Sequence, residues 1–222
     1  MNSSDPSDFD LHGGDLAAAE RRFGRAPAPG WLDLSTGISP FPYPDIDLGS
    51  DILHRLPDAA ALARLLAAAR AYYRVPDDAA ITAASGTQQL IQVLPRLISG
   101  ETVAISGPTY GEHELAWCRA GRSLVRATPA DIAVVVNPNN PDGRITRELP
   151  TAKIVIVDEA FGDVAPETSA IRDTVAGKVI VLKSFGKFFG LAGLRLGFCI
   201  SAPGLAADLA QELGPYCARP YD

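Results

Sequence analysis

The stretch Ile154-Val155-Ile156-Val157-Asp158-Glu159-Ala160-Phe161 decides the architecture. Four β-branched side chains in a row leave no polar face, so the strand they form must be covered on both sides, as in a parallel sheet flanked by helices. The run ends on an acid, and a carboxylate at the tip of such a strand is costly unless it has a partner or a task. Working outward, comparable short apolar runs occur at 80–83, 102–105, 123–126, 132–136, 179–182 and 196–200. Segments of helical length separate several of them. An alanine-rich pattern from Ala59 to Tyr73 carries Leu62, Leu65, Leu66 and Ala69 on one stripe, and a further helix is expected to begin near Pro203. The expected fold class is therefore α/β: a mainly parallel seven-stranded sheet with helices on both faces. Residues 1–50, rich in Pro and Gly over 27–49, read as an N-terminal arm, 51–215 as the sheet domain and 216–222 as a short tail.

Composition narrows the chemistry. With 47% hydrophobic residues among 222, the chain is not disordered as a whole. Its formal charge is −6 and no Lys/Arg cluster stands out, so no nucleic-acid partner is expected. No apolar run approaches the ~20 residues that span a bilayer, and residues 1–10 are acidic and lack an apolar signal core. Neither a membrane partner nor secretion is expected; the expected location is the cytoplasm. Cys118, Cys199 and Cys217 are odd in number and far apart, which suits a reducing compartment. Gly186-Lys187 lacks the remainder of a phosphate-binding P-loop, no G-x-G-x-x-G follows a strand, and His12, His54 and His113 are too dispersed for a local metal site.

Five features remain, each just after an expected strand. Ala84-Ser85-Gly86-Thr87-Gln88-Gln89 opens an apolar helix, where free backbone N–H groups suit a phosphate or a plain N-cap. Gly107-Pro108-Thr109-Tyr110 places an aromatic ring at a strand end, and Asn137-Pro138-Asn139-Asn140-Pro141 places amides, or simply a turn, at another. Asp158 is the strand-tip acid. The fifth feature is Lys183-Ser184-Phe185-Gly186-Lys187 followed by Phe188 through Arg195, in which Lys187 lies among aromatics and glycines that would desolvate an amine. Together they offer an anion cradle, a stacking ring, hydrogen-bond donors, a buried acid, a reactive amine and a cation, the inventory that pyridoxal phosphate needs.

These segments, together with His12-Gly13-Gly14 and Leu32 through Pro44, resemble the fold-type I pyridoxal-phosphate enzymes, and within them the threonine-phosphate decarboxylases of cobalamin biosynthesis. The resemblance implies pyridoxal 5′-phosphate as cofactor, Lys187 as the Schiff-base lysine, Asp158 as the partner of the pyridine nitrogen and Tyr110 as the stacked ring. It implies Asn139 as a donor to the cofactor's phenolic oxygen, and Gly86, Thr87, Gln88, Ser184 and Arg195 as the phosphate-binding set. Phe161 stands where many relatives carry a tyrosine, and Leu56 where relatives often present a tyrosine to the neighbouring subunit. The implied reaction is decarboxylation of L-threonine O-3-phosphate, a small phosphorylated amino acid, by a homodimer. Because the family's small C-terminal domain is not represented, the expectation for these 222 residues alone is cofactor binding with weak or no turnover. An aminotransferase of the histidinol-phosphate type and a non-catalytic cofactor-binding remnant are the alternatives.

Overall fold

The computed structural model describes residues 13–43, 54 and 56–214. His12, Pro44, Cys217 and the tail 216–222 lie outside them. The chain divides into two compact units, Met1–Ile38 and Ser39–Asp222.

In the first unit, α1 (Leu16–Phe23) starts where the Asp15 carboxylate accepts from Ala18 N–H at 2.7 Å and stops at Gly24, whose φ of 83° few other residues adopt readily. The Gly13-Gly14 pair meets the stretch that begins at Leu32 here. Gly14 N–H donates to Ser35 Oγ at 2.9 Å, and a Cβ at Gly13 would fall 2.3 Å from Ser35 O. Asp33 accepts from both the hydroxyl and the amide of Ser35, which holds its carboxyl below the usual range.

The second unit is built on seven strands: β1 (Ala80–Ala84), β2 (Thr102–Ile105), β3 (Ser123–Val125), β4 (Ala130–Val136), β5 (Ala152–Glu159), β6 (Val179–Ser184) and β7 (Gly197–Ser201). Their order is β1-β7-β6-β5-β4-β2-β3. β2, β3, β4, β5 and β6 pair in parallel, whereas β7 is antiparallel to both β6 and β1, so β1 points the same way as β6. The sheet is thus seven-stranded and mainly parallel, with one reversed strand inside it.

Helices cover both faces. On one, α3 (Thr87–Leu97), α4 (Glu112–Arg119) and α5 (Pro203–Leu213) bury Leu90, Leu94, Trp117 and Leu209 against Ile132, Ile156 and Leu182. On the other, the leucine stripe of α2 (Ala59–Tyr73) packs near Ala83, Val155, Val181 and Ile200. Asp58 caps α2 by accepting from Ala61 N–H at 2.7 Å, and Arg70 ties its end to the turn before β1 through Pro76 O and Ala79 O. Between β5 and β6 the chain makes three short 3₁₀ turns, at 162–164, 166–168 and 171–176, instead of an α-helix. Between β4 and β5 the described chain has no helix, as the short connection after Gly143 implies.

Candidate active site

Because β1, β2, β4, β5 and β6 run one way, their C-terminal ends share one rim of the sheet. All five sequence features gather there. Ligands of open α/β sheets lie at this rim because backbone and loop groups converge past the strand ends.

The β5–β6 register separates charges that sequence alone leaves ambiguous. Asp158 sits opposite Leu182, and Glu159 opposite Lys183. Successive residues of a strand face opposite sides, so the two acids part. Glu159 turns away from the Asp158 face and is sealed there: its carboxylate meets Lys183 Nζ at 2.9 Å, Ser169 Oγ at 2.7 Å and Ala170 N–H at 2.7 Å. Lys183 Nζ also lies 5.1 Å above the Tyr73 ring and is buried. An ammonium so paired is not available as a nucleophile. Asp158, 2% exposed, accepts from Ala160 N–H at 2.9 Å and lies 2.8 Å from His113 Nε2.

Lys187 is the second amine at this rim. It is half-buried, and its Nζ stands 5.6 Å above the Phe161 ring. Burial pulls its pKa below the ordinary lysine value; the Asp158 charge opposes that fall and the Arg195 charge adds to it. Its loop is held by the segment 39–43, where Ser39 N–H donates to Lys187 O at 2.9 Å and Tyr43 N–H to Phe189 O at 2.7 Å. Phe185 and Phe189 stack beneath at 4.4 Å. Gly190 has φ of 67°, and a Cβ there would fall 2.7 Å from Pro42 Cα, so the close approach of strap and loop requires glycine.

At the other end of the rim, α3 begins at Gly86 with no side chain capping it, which leaves first-turn N–H groups and the helix dipole facing outward. The Arg195 guanidinium lies over this spot: a Cβ at Gly86 would come within 2.7 Å of its Nη2. Arg195 reaches there from a left-handed backbone position, φ 51°, with Nη1 on Ala192 O at 3.3 Å. Gly197 of β7 approaches so closely that a Cβ would meet Thr87 N at 2.5 Å. Ser184 closes β6 beside this corner, buried.

Tyr110 follows β2 on the same rim. Its hydroxyl donates to Gln88 Oε1 at 3.1 Å, and its ring meets His113 edge to face at 6.2 Å. Burial, reinforced by Glu112 and Asp158, raises its phenol pKa, while Arg195 works against the rise. Gln88 is therefore engaged with Tyr110 and Glu112 rather than left open to an anion. Asn139 is buried, and its amide donates to Pro108 O at 3.0 Å and Asp142 Oδ1 at 2.8 Å. The donor its implied role needs is committed within the loop, and its Oδ1 has no partner. The adjacent half-buried Asn140 makes no side-chain hydrogen bond among the described residues. Thr109 Oγ1 is a second buried polar atom without a partner.

Residues 48–220 match the family model for aminotransferase class I and II. The chain belongs to this family. Among curated members, a threonine-phosphate decarboxylase from Sinorhizobium sp is 41% identical over 93% of this chain and 67% of that protein. The corresponding enzyme of Pseudomonas aeruginosa is 39% identical over 92% of this chain and 66% of that protein. The chain thus spans about two thirds of the length of these relatives. Among solved structures, a histidinol-phosphate aminotransferase from Clostridium acetobutylicum superposes with a TM-score of 0.71 at 25% identity, covering 82% of this chain and 64% of that one.

For a class I and II aminotransferase the residues present fit pyridoxal phosphate. An uncapped helix start lies beneath a guanidinium, a desolvated amine feels both that guanidinium and a strand-tip carboxylate, and two buried polar atoms at Thr109 and Asn139 lack partners. Among the described residues no group of three His, Cys, Asp or Glu side chains gathers to hold a metal, and no helix is long and apolar enough to cross a membrane. His113 is the site residue that sequence reading passes over. Its partner Asp158 is 45 positions away, and only its place three residues after Tyr110 hints at the rim.

Proposed function

We propose that this rim binds pyridoxal 5′-phosphate and that the reaction is decarboxylation of L-threonine O-3-phosphate to (R)-1-aminopropan-2-yl phosphate, serving cobalamin biosynthesis in the cytoplasm. The observation that carries the cofactor reading is the arrangement of Lys187, half-buried and depressed in pKa, within the field of both Asp158 and Arg195. The substrate reading is supported by 41% and 39% identity to threonine-phosphate decarboxylases.

When bound, the cofactor supplies an aldehyde for a primary amine and a protonatable ring that accepts an electron pair. The chain's own residues provide the rest. The first-turn N–H groups of α3 and the Arg195 guanidinium hold a phosphate. Asp158, oriented by His113 and by Ala160 N–H, offers a fixed carboxylate to a ring N–H. Tyr110 would offer an aromatic face to the cofactor ring, and Asn140 carries the uncommitted amide donor at this rim. Lys187 loses its proton more readily than a solvated lysine, so it serves as the nucleophilic amine. After the bond from Cα to the carboxylate breaks and carbon dioxide leaves, the same amine is placed to return a proton to Cα. A homodimer is part of the proposal; Phe41, Tyr43, Tyr72 and Phe188, exposed on the second unit, are the apolar surface that supports it.

Purified chain loaded with pyridoxal phosphate and given threonine phosphate is expected to release carbon dioxide, and Lys187→Ala is expected to lose both the lysine-bound absorbance of the cofactor and the product. Amino transfer to a 2-oxo acid without carbon dioxide would instead favour the histidinol-phosphate aminotransferase reading, which the Clostridium structure supports at the level of fold. Cofactor absorbance with neither product would mark a binding remnant.

A further inference from the structure

Glu112 is a buried acid for which the chemistry above has no use. It opens α4, and its Oε2 accepts from Gln92 Nε2 at 2.9 Å and from Gln88 Nε2. A carboxylate can only accept hydrogen bonds. It therefore fixes which way the Gln88 amide faces: nitrogen toward Glu112, oxygen toward Tyr110. Gln88 Oε1 in turn can only accept, so the Tyr110 hydroxyl must donate to it, at 3.1 Å. The three residues come from α3, α4 and the turn before α4, and the direction of every bond follows from the single acid.

We propose that Glu112 is a positioning residue: acting through Gln88, it holds the Tyr110 hydroxyl turned toward α3 and its ring presented at the rim. The charged and titratable groups facing Tyr110 are Glu112 and His113 on α4, Asp158 at the tip of β5 and Arg195 before β7, and Lys187 shares the Asp158 and Arg195 charges. Burial is the largest cause, and the Glu112 and Asp158 charges add to it against the Arg195 guanidinium, so the phenol resists ionisation. A tyrosinate here would place like charge beside Asp158 and compete with it for Lys187 and Arg195. What the ring does against a cofactor rests on the function proposed above; the direction of its hydroxyl does not.

The test is the alkaline titration of Tyr110 in cofactor-free chain, followed by tyrosinate absorbance. Six tyrosines are present, so the Tyr110 signal is the difference from Tyr110→Phe in each background, with melting temperature recorded alongside. Glu112→Gln keeps the shape and an acceptor oxygen but removes the charge; its Tyr110 is expected to titrate lower by about one pH unit. Gln88→Met keeps the charge but removes the acceptor, and Tyr110 is again expected to titrate lower. An unmoved titration in folded Glu112→Gln overturns the proposal. A shift in Glu112→Gln with none in Gln88→Met overturns the route through Gln88. Should Glu112→Gln fail to fold, Gln88→Met alone decides. Failure of the chain to bind pyridoxal phosphate would sink the cofactor reading and leave this result standing.

Discussion

At the scale of single residues, the site is organised around Asp158 rather than around the lysine. The carboxylate is out of water and has two partners, His113 Nε2 and Ala160 N–H. Removing the imidazole leaves one oxygen of a buried carboxylate without its hydrogen bond, and such an orphan costs more than the bond contributes when made. His113→Leu is therefore expected to destabilise the chain by about 2–3 kcal/mol in urea unfolding. Replacing both partners, as in His113→Leu with Asp158→Leu, is expected to cost less than the sum of the two single changes. Simple additivity would show that the two side chains do not act as a pair. The same separation of roles explains why Lys183 and Lys187, four positions apart, differ: one is sealed against Glu159, the other feels the charges of Asp158 and Arg195.

At the scale of elements, the proposed anion corner depends on how closely β7 approaches the start of α3. A Cβ on Gly197 would meet Thr87 N at 2.5 Å and the Gly86 carbonyl carbon at 2.7 Å, both backbone atoms that cannot swing aside. Gly197→Ala is expected to push α3 off the sheet at a cost of about 1–3 kcal/mol and to weaken pyridoxal phosphate binding at least tenfold, read by equilibrium titration. Unchanged affinity in a destabilised variant would remove this corner from the binding site. Elements also show where sequence reading works and where it stops. The strands at 102–105 and 132–136 are legible because two-sided burial favours short runs of β-branched residues and alanine with no charged side chain, and the stripe of α2 is legible because its leucines recur at helical spacing. The reversal of β7 is not, because a period of two carries no direction. The eight-residue helices α1 and α4 are too short, and too mixed in polarity, to declare themselves. Asn139 shows the same limit inside a loop: NPNNP places two amides together, and only the fold reveals that Asn139 binds its own turn while Asn140 stays open.

At the scale of the whole molecule, the motifs cooperate because one sheet carries them to one rim, and that convergence was readable from the strand-then-motif order along the chain. The partners within it, His113 with Asp158 and Glu112 with Gln88, were not, since each joins residues 24 to 45 positions apart. A ligand spanning this rim would touch the loops after β1, β2, β4, β5 and β6 at once, so binding should stabilise the second unit as a body rather than one loop. By mass action a ligand at one hundred times its dissociation constant adds about 2.7 kcal/mol. For a chain of 222 residues that corresponds to a rise in melting temperature of roughly 5–10 °C. Pyridoxal phosphate is expected to give this rise, and pyridoxal without its phosphate a smaller one at equal concentration, because the α3 start and Arg195 would then hold nothing. Equal shifts from the two compounds would mean that the aldehyde end alone binds, and the anion corner would have to be assigned to the phosphate of the substrate instead.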